Sequence, residues 1–173
     1  MIIKHYDIGQ AISVAGKLDG SRLKRAEDDA ISFLAPIEYE LTVTRSGNNL
    51  WVRGPVRAKL STVCDRCLEE FTFSVESELA IELLPKKEEP FAQEVELKSE
   101  EMDLYYFEEG EEIDLDPYVF EEVMLHIPIK ALCSEACKGM CPTCGKNLNL
   151  GECRCEKPDT GVLAEKLKPF LKK

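Results

Sequence analysis

The sequence predicts an α+β protein with an antiparallel β-rich core built from hairpins, one central helix, a cysteine-rich C-terminal segment and a short terminal helix. Three observations predict it. Apolar residues alternate with polar ones through much of the first half, a stretch near residue 120 switches to helical spacing, and six of the eight cysteines fall within residues 133–155. At 173 residues with 44% hydrophobic content, the chain suits one core domain over residues 1–128 and a small appendage over 129–173.

Taken in order, Ile2 to Ile8 reads as a short edge strand, and Arg22 to Ala30 is too charged to assign. Tyr39, Leu41 and Val43 alternate with polar residues, Ser46-Gly47-Asn48 supplies a turn, and Leu50 to Val63 resumes as a long strand bent near Gly54-Pro55. Phe71, Phe73 and Val75, then Leu79, Ile81 and Leu83, form another run of period two, which places Cys64 and Cys67 in the turn of a second hairpin. Lys86 to Asp114 is Glu-rich, part strand and part loop. A helix follows over residues 117–127: Asp116 caps it, Pro117 suits its first position, and Phe120, Val123, Met124 and Ile127 share one face until Pro128 stops it. From Asp159 or Thr160 onward, Leu163, Leu167, Phe170 and Leu171 make a second helical stripe that Pro169 interrupts.

The net charge of −11 is unevenly placed, at −1 over residues 1–87, −14 over 88–122 and +4 over 123–173. The middle stretch is an acidic belt, whose ordinary reading is a solvated loop and whose sharper reading is a mimic of nucleic acid that attracts a basic partner. Residues 1 to 7 hold no apolar run of signal length, and no stretch reaches the ~18 apolar residues of a membrane span, so a reducing cytoplasm is expected. In that compartment eight cysteines point to metal ligation before disulfides.

Their spacing is Cys64-x2-Cys67, then Cys133-x3-Cys137-x3-Cys141-x2-Cys144-x8-Cys153-x-Cys155. A two-residue gap lets one tight turn aim two thiolates at a single tetrahedral ion, and eight sulfurs suffice for two zinc sites. Cys141-Pro142-Thr143-Cys144-Gly145 is a zinc knuckle whose nearest partners are Cys153 and Cys155. Cys64 and Cys67 are left to join Cys133 and Cys137 across a long sequence separation, although spacing alone also permits interleaved pairings. Arg66, Lys138, Lys146 and Arg154 lie beside ligands, where a cation favours the thiolate. A catalytic zinc keeps an open position for water and commonly uses His or carboxylate, so two all-cysteine sites read as structural.

Catalytic constellations are absent from the pattern, and no residue is assigned to catalysis or to an organic cofactor. The two histidines, His5 and His126, offer no Ser/His/Asp arrangement, the ten glycines make no phosphate-cradling loop, and the carboxylates lack a fixed scaffold. Cys64-Asp65-Arg66-Cys67 follows a strand without the helix that would lower a redox thiol's pKa. For nucleic acid, Arg45, Arg53, Arg57 and Lys59 share a predicted hairpin with Trp51, and Lys166, Lys168, Lys172 and Lys173 crowd the tail. Arg53, Arg57 and Lys59 have one parity, hence one sheet face unless a bulge intervenes.

Several segments together carry a resemblance. Cys64-Asp65-Arg66-Cys67-Leu68-Glu69, the acidic middle, Ile113-Asp114-Leu115, the helix ending Leu125-His126-Ile127-Pro128, and Cys133 through Asn149 with Cys153-x-Cys155 resemble the bacterial YceD family of large-subunit ribosomal RNA accumulation proteins. The likeness runs from about Leu41 to Cys155. Where relatives carry an Asp-Pro-Arg turn before the last helix, this chain has Lys157-Pro158-Asp159-Thr160. Some members keep the first cysteine pair and lose most distal cysteines, as if one site could be dropped as a unit.

The resemblance implies a non-enzymatic ribosome biogenesis factor that supports synthesis, processing or stability of large-subunit (23S) ribosomal RNA. Its partners would be that RNA, a ribosomal protein or an RNA-processing enzyme, with no membrane and no small-molecule substrate. The alternative from the residues is a zinc-dependent thiol-switch chaperone, since zinc-thiolate pairs such as Cys141/Cys144 and Cys153/Cys155 can be oxidised. A hydrolase acting on RNA ranks third, for want of an active site.

Overall fold

A computed structural model describes residues 2–4, 8–23, 31–86, 104–108 and 112–155. Among the described residues ten elements follow one another: β1 (Ile2–Lys4), β2 (Ala11–Leu18), a 3-10 turn (Gly20–Leu23), β3 (Ser32–Phe33), β4 (Ile37–Ser46), β5 (Asn49–Val63), β6 (Glu70–Pro85), β7 (Leu104–Phe107), β8 (Glu112–Asp114) and α1 (Asp116–Leu125). The chain divides into two compact units, Met1–Thr62 with Thr72–Ile129, and Val63–Phe71 with Lys130–Lys173.

The first unit is built on a sheet ordered β2-β4-β5-β6-β7, with β3 pairing to β5 beside that path. β4 and β5 form the antiparallel pair expected from their alternation, from Glu38 opposite Arg57 to Ser46 opposite Asn49. Ile37, Tyr39, Leu41 and Val43 point inward from β4, and Leu50, Val52, Val56, Ala58 and Leu60 from β5. The register is the same on both sides of Gly54-Pro55, so no residue is inserted there. Gly54, at φ +153°, allows the close approach of the Glu40 carbonyl, where any Cβ would collide with that oxygen.

Three features of the strands differ from the sequence expectation. The first is β2, which the expectation left unassigned. It pairs antiparallel over its whole length with Ile37 to Thr44 of β4, with Gly16 opposite Tyr39, and a side chain at Gly16 would collide with that ring. The second is β7, which runs parallel to β6, Leu104 opposite Glu82, so the core is a mixed sheet and not wholly antiparallel. In the third, the N-terminal strand is short, and Ile2–Lys4 pairs with β8 in a separate two-stranded sheet.

The helix α1 begins one residue earlier than expected, and Asp116 lies inside it without capping; Leu115 holds the cap position with no side-chain bond. The Asp114 carboxylate instead accepts the Asp116 N–H at 3.1 Å, in the role that a capping side chain normally fills. The buried stripe is also shifted. Val119 and Val123 are fully buried, Phe120 and Ile127 pack against the core from its margin, and Leu125 is exposed. Phe120 tilts against Phe33 at 5.9 Å between centroids, and Tyr118 meets Tyr105 edge-on at 4.7 Å. Each fully buried aliphatic side chain of this core contributes about 1.5–3 kcal/mol. No helix among the described residues is long and apolar enough to cross a membrane. Residues 87–103 and 109–111 of the acidic stretch, and the expected terminal helix beyond Cys155, lie outside the described residues.

Among its described residues the second unit has a small apolar cluster, in which Phe71 and Leu132 pack around the buried Cys64, Cys67 and Cys137. Around so small a cluster, turns, hydrogen bonds and whatever the cysteines hold add to the stability of these residues.

Candidate metal centres

The turn after β5 brings the first two cysteines together. The Cys64 N–H donates to the Glu69 carbonyl and the Leu68 N–H donates to the Cys64 carbonyl, each at 2.9 Å, with Leu68 in the left-handed region at φ +57°. Asp65 and Arg66, the two residues between the thiols, reach the later chain. The Asp65 N–H donates to the Ala131 carbonyl and its carboxylate accepts the Ala131 N–H, both at 2.8 Å. The Arg66 guanidinium donates to the Cys137 carbonyl at 3.0 Å, and its own carbonyl accepts the Met140 N–H at 3.0 Å. These bonds carry Cys133 and Cys137 to the turn.

The second knuckle repeats the plan. The Cys141 N–H donates to the Lys146 carbonyl and the Gly145 N–H to the Cys141 carbonyl, again both at 2.9 Å, with Gly145 at φ +70°. A bridge between Met140 and Asn147, and the Leu148 N–H on the Gly139 carbonyl at 2.9 Å, extend it as a short ladder. The Lys146 ammonium donates to the Glu152 carbonyl at 2.9 Å, beside Cys153.

The eight sulfurs form two groups, Cys64/Cys67/Cys133/Cys137 and Cys141/Cys144/Cys153/Cys155, with the ligand atoms of each group all within 4.8 Å of one another. This is the partition that the spacing favours. In the first, proximal cluster Cys64 Sγ lies 3.8 Å from Cys137 Sγ and Cys67 Sγ lies 3.7 Å from Cys133 Sγ. Four sulfurs at ~2.3 Å from a central ion stand ~3.8 Å apart in a regular tetrahedron, so the donor set and its spacing fit a thiophilic divalent ion. All eight cysteines are free thiols.

Four thiols this close cannot all ionise unaided, because each thiolate repels the next. In the proximal cluster the Cys133 backbone N–H, followed by those of Cys67 and Arg66, holds Cys64 down to about 6, while the Cys137 thiol and burial push Cys133 up to about 12. Cys137 is held below the usual thiol range, first by the side-chain amide of Asn149. In the distal cluster the N–H groups of Cys144 and Thr143 lower Cys141 to about 6, and the Cys144 thiol raises Cys155 to about 12. One thiol of each group thus ionises readily and another resists, an imbalance that a bound cation relieves.

Of the flanking cations, Arg66 and Lys146 donate to backbone carbonyls. Asp65, Asn147 and Asn149 were not singled out by sequence reasoning as supports of the clusters, and only their place between ligand cysteines hints at the role.

The other expected site residues are dispersed. Trp51, Arg53, Arg57 and Lys59 do share the exposed face of β5, and Arg53 lies over the Trp51 ring at 5.4 Å. Acids interleave with them: Arg57 is 3.9 Å from Glu40, and Lys17 is 2.6 Å from Glu38, which faces Arg57 across the strands. Arg45 donates to the Gly47 carbonyl. His126 is an exposed residue at the end of α1, 2.9 Å from the Glu122 carbonyl. His5 and the four tail lysines lie outside the described residues.

Residues 52–170 match the pattern of the family described as large ribosomal RNA subunit accumulation protein YceD. The chain is 32% identical to the Arabidopsis thaliana protein named large ribosomal RNA subunit accumulation protein YCED homolog 1, chloroplastic, over 73% of this chain and 46% of that one. It is 29% identical to the Zea mays protein of the same name, over 70% of this chain and 49% of the relative. The chain spans about half the length of these relatives, and no solved structure matches it. Both cysteine clusters lie within residues 52–170, and the chain belongs to the YceD family of large ribosomal RNA subunit accumulation proteins.

Proposed function

We propose that this protein is a non-enzymatic ribosome biogenesis factor that supports accumulation of large-subunit (23S) ribosomal RNA, with two structural zinc ions holding its second unit. The observation that carries the reading is the pair of closed four-sulfur clusters within the region matched to the family. Sulfur supplies all four ligands of each tetrahedron, leaving no position for substrate or water, so the metal serves folding and not chemistry. Zinc suits this donor set because its filled d-shell imposes no geometry of its own and thiolate is among its preferred ligands. The proposed ligands are Cys64, Cys67, Cys133 and Cys137 for one ion, and Cys141, Cys144, Cys153 and Cys155 for the other.

The partner is the large-subunit RNA itself or a protein that works on it. Charge favours a protein. The chain carries −11 overall, and the cations on the β5 face are interleaved with Glu38 and Glu40. Binding to bare RNA draws most of its strength from unpaired cations that displace counterions from phosphates. A basic ribosomal protein meets no such obstacle.

Depletion of this protein in its own host tests the role. The ratio of large- to small-subunit ribosomal RNA should fall, and should be restored by the wild type but not by Cys64→Ser. An unchanged ratio on depletion would contradict the reading.

A further inference from the structure

Asn149 stands between the two clusters. It lies in the loop from Cys144 to Cys153, whose ends are ligand positions of the distal cluster, yet its side chain turns to the proximal one. Its Oδ1 accepts the Lys138 N–H at 2.7 Å and its Nδ2 donates to Cys137 Sγ at 3.3 Å. The orientation of the amide is settled by chemistry: the oxygen must face the backbone donor, so the NH2 faces the sulfur. The Asn149 N–H donates in turn to Asn147 Oδ1 at 2.9 Å, and Asn147 Nδ2 reaches Glu69 Oε1, just past the first knuckle, at 3.3 Å. Past Leu148 the loop is held by the Leu150 N–H on the Asn147 carbonyl and by the Lys146 ammonium on the Glu152 carbonyl, before the chain reaches Cys153.

We propose that Asn149 couples the two metal sites: a metal in the distal cluster fixes the loop that presents the Asn149 amide to Cys137, and so tightens metal binding in the proximal cluster. This rests on the reading that both clusters hold metal. An N–H donor spreads the charge of a thiolate ligand and fixes its direction, and loss of such an outer-shell partner weakens metal binding on the order of 10- to 100-fold. Coupling through one shared contact is reciprocal, so loading the proximal cluster favours the distal one by the same factor. Asn149 is thus a positioning residue for a ligand of the other site.

The test uses the zinc-loaded full chain at a fixed concentration of competing chelator. The rate of alkylation by iodoacetamide is read cysteine by cysteine by peptide mass spectrometry, so that each cluster reports separately. Asn149→Asp keeps the acceptor for the Lys138 N–H and removes the donor to sulfur, and Asn149→Ala removes both. Either variant should speed alkylation of Cys64, Cys67, Cys133 and Cys137 by about ten-fold or more. Cys153→Ser/Cys155→Ser should do the same, and adding Asn149→Asp to it should bring no further increase. Unchanged proximal rates in the Asn149 variants, or effects of the two changes that multiply, would overturn the coupling while leaving two metal sites in place. Wild type that binds no zinc would overturn the metal reading and the coupling with it.

Discussion

Cys64 and Cys141 open the same turn. In each, the cysteine N–H reaches the carbonyl five residues on, its carbonyl receives the N–H four residues on, and that fourth residue sits at positive φ. What differs is how the turn is secured. The proximal knuckle has Leu68 at the positive-φ position and uses Asp65 and Arg66 to grip residues 131–140. The distal knuckle has Gly145, which holds that φ without strain, and its four cysteines lie within fifteen residues of one another. Three proximal cysteines are buried, against one distal. A site assembled from distant segments needs side chains that carry one segment to the other, whereas a local site needs only a turn that forms readily.

The largest effect should come from losing one ligand of each cluster. Cys64→Ser should abolish the proximal site and expose backbone amides throughout 63–71 and 130–150 to hydrogen exchange. Cys141→Ser should unfold mainly residues 141–155 and loosen the proximal cluster without unfolding it. Equal unfolding by both variants would break the distinction between the clusters.

Acid should separate them next. Cys64 and Cys141 are the thiols held lowest, at about 6, below the ordinary cysteine value. A group so depressed adds stability that is complete above its unfolded pKa and is lost as pH falls through its folded one, and a proton gained by a ligand also expels metal. Metal should therefore leave below about pH 6, the more exposed distal cluster first, as counted by native mass spectrometry across pH.

Asp65→Ala should cost about 1.5–3 kcal/mol, because it leaves the part-buried Ala131 N–H without its carboxylate. Pro142→Ala, at the equivalent place in the distal knuckle, should stay within about 0.5 kcal/mol. Denaturant unfolding of the zinc-loaded protein compares the two, and equal losses would remove the special role of Asp65.

The smallest pair exchanges the positive-φ residues. Leu68 is 59% exposed, so Leu68→Gly loses little packing and should gain about 1 kcal/mol from relief of the left-handed backbone. Gly145→Leu should lose about as much, since open space surrounds a Cβ there and only the backbone resists. Thermal unfolding should shift in opposite directions for the two variants.

What was legible in the sequence follows from these same contrasts. β4, β5 and β6 declare themselves because one face is buried along nearly their whole length, so Tyr39, Leu41 and Val43 alternate cleanly with polar residues. β2 carries the same signal in Ile12, Val14 and Leu18, but Ala11, Ala15 and Gly16 are small, and they mute the contrast between faces. The parallel pairing of β7 depends on a partner some twenty residues away and leaves no local trace. Cysteine spacing favours the partition into two clusters, because Cys153 and Cys155 are the nearest partners of Cys141 and Cys144, but it leaves interleaved pairings open, and the folded arrangement decides between them. The grip of Asp65 and the bond from Asn149 to Cys137 run from a side chain to a distant segment, and only the folded arrangement reveals such contacts.

The most direct measurement is native mass spectrometry, with elemental analysis, of protein purified under reducing conditions, comparing wild type with Cys141→Ser/Cys144→Ser. Two zinc ions in the wild type, falling to one in the variant, is the predicted result. Wild type that carries no metal while its thiols remain reduced would contradict it.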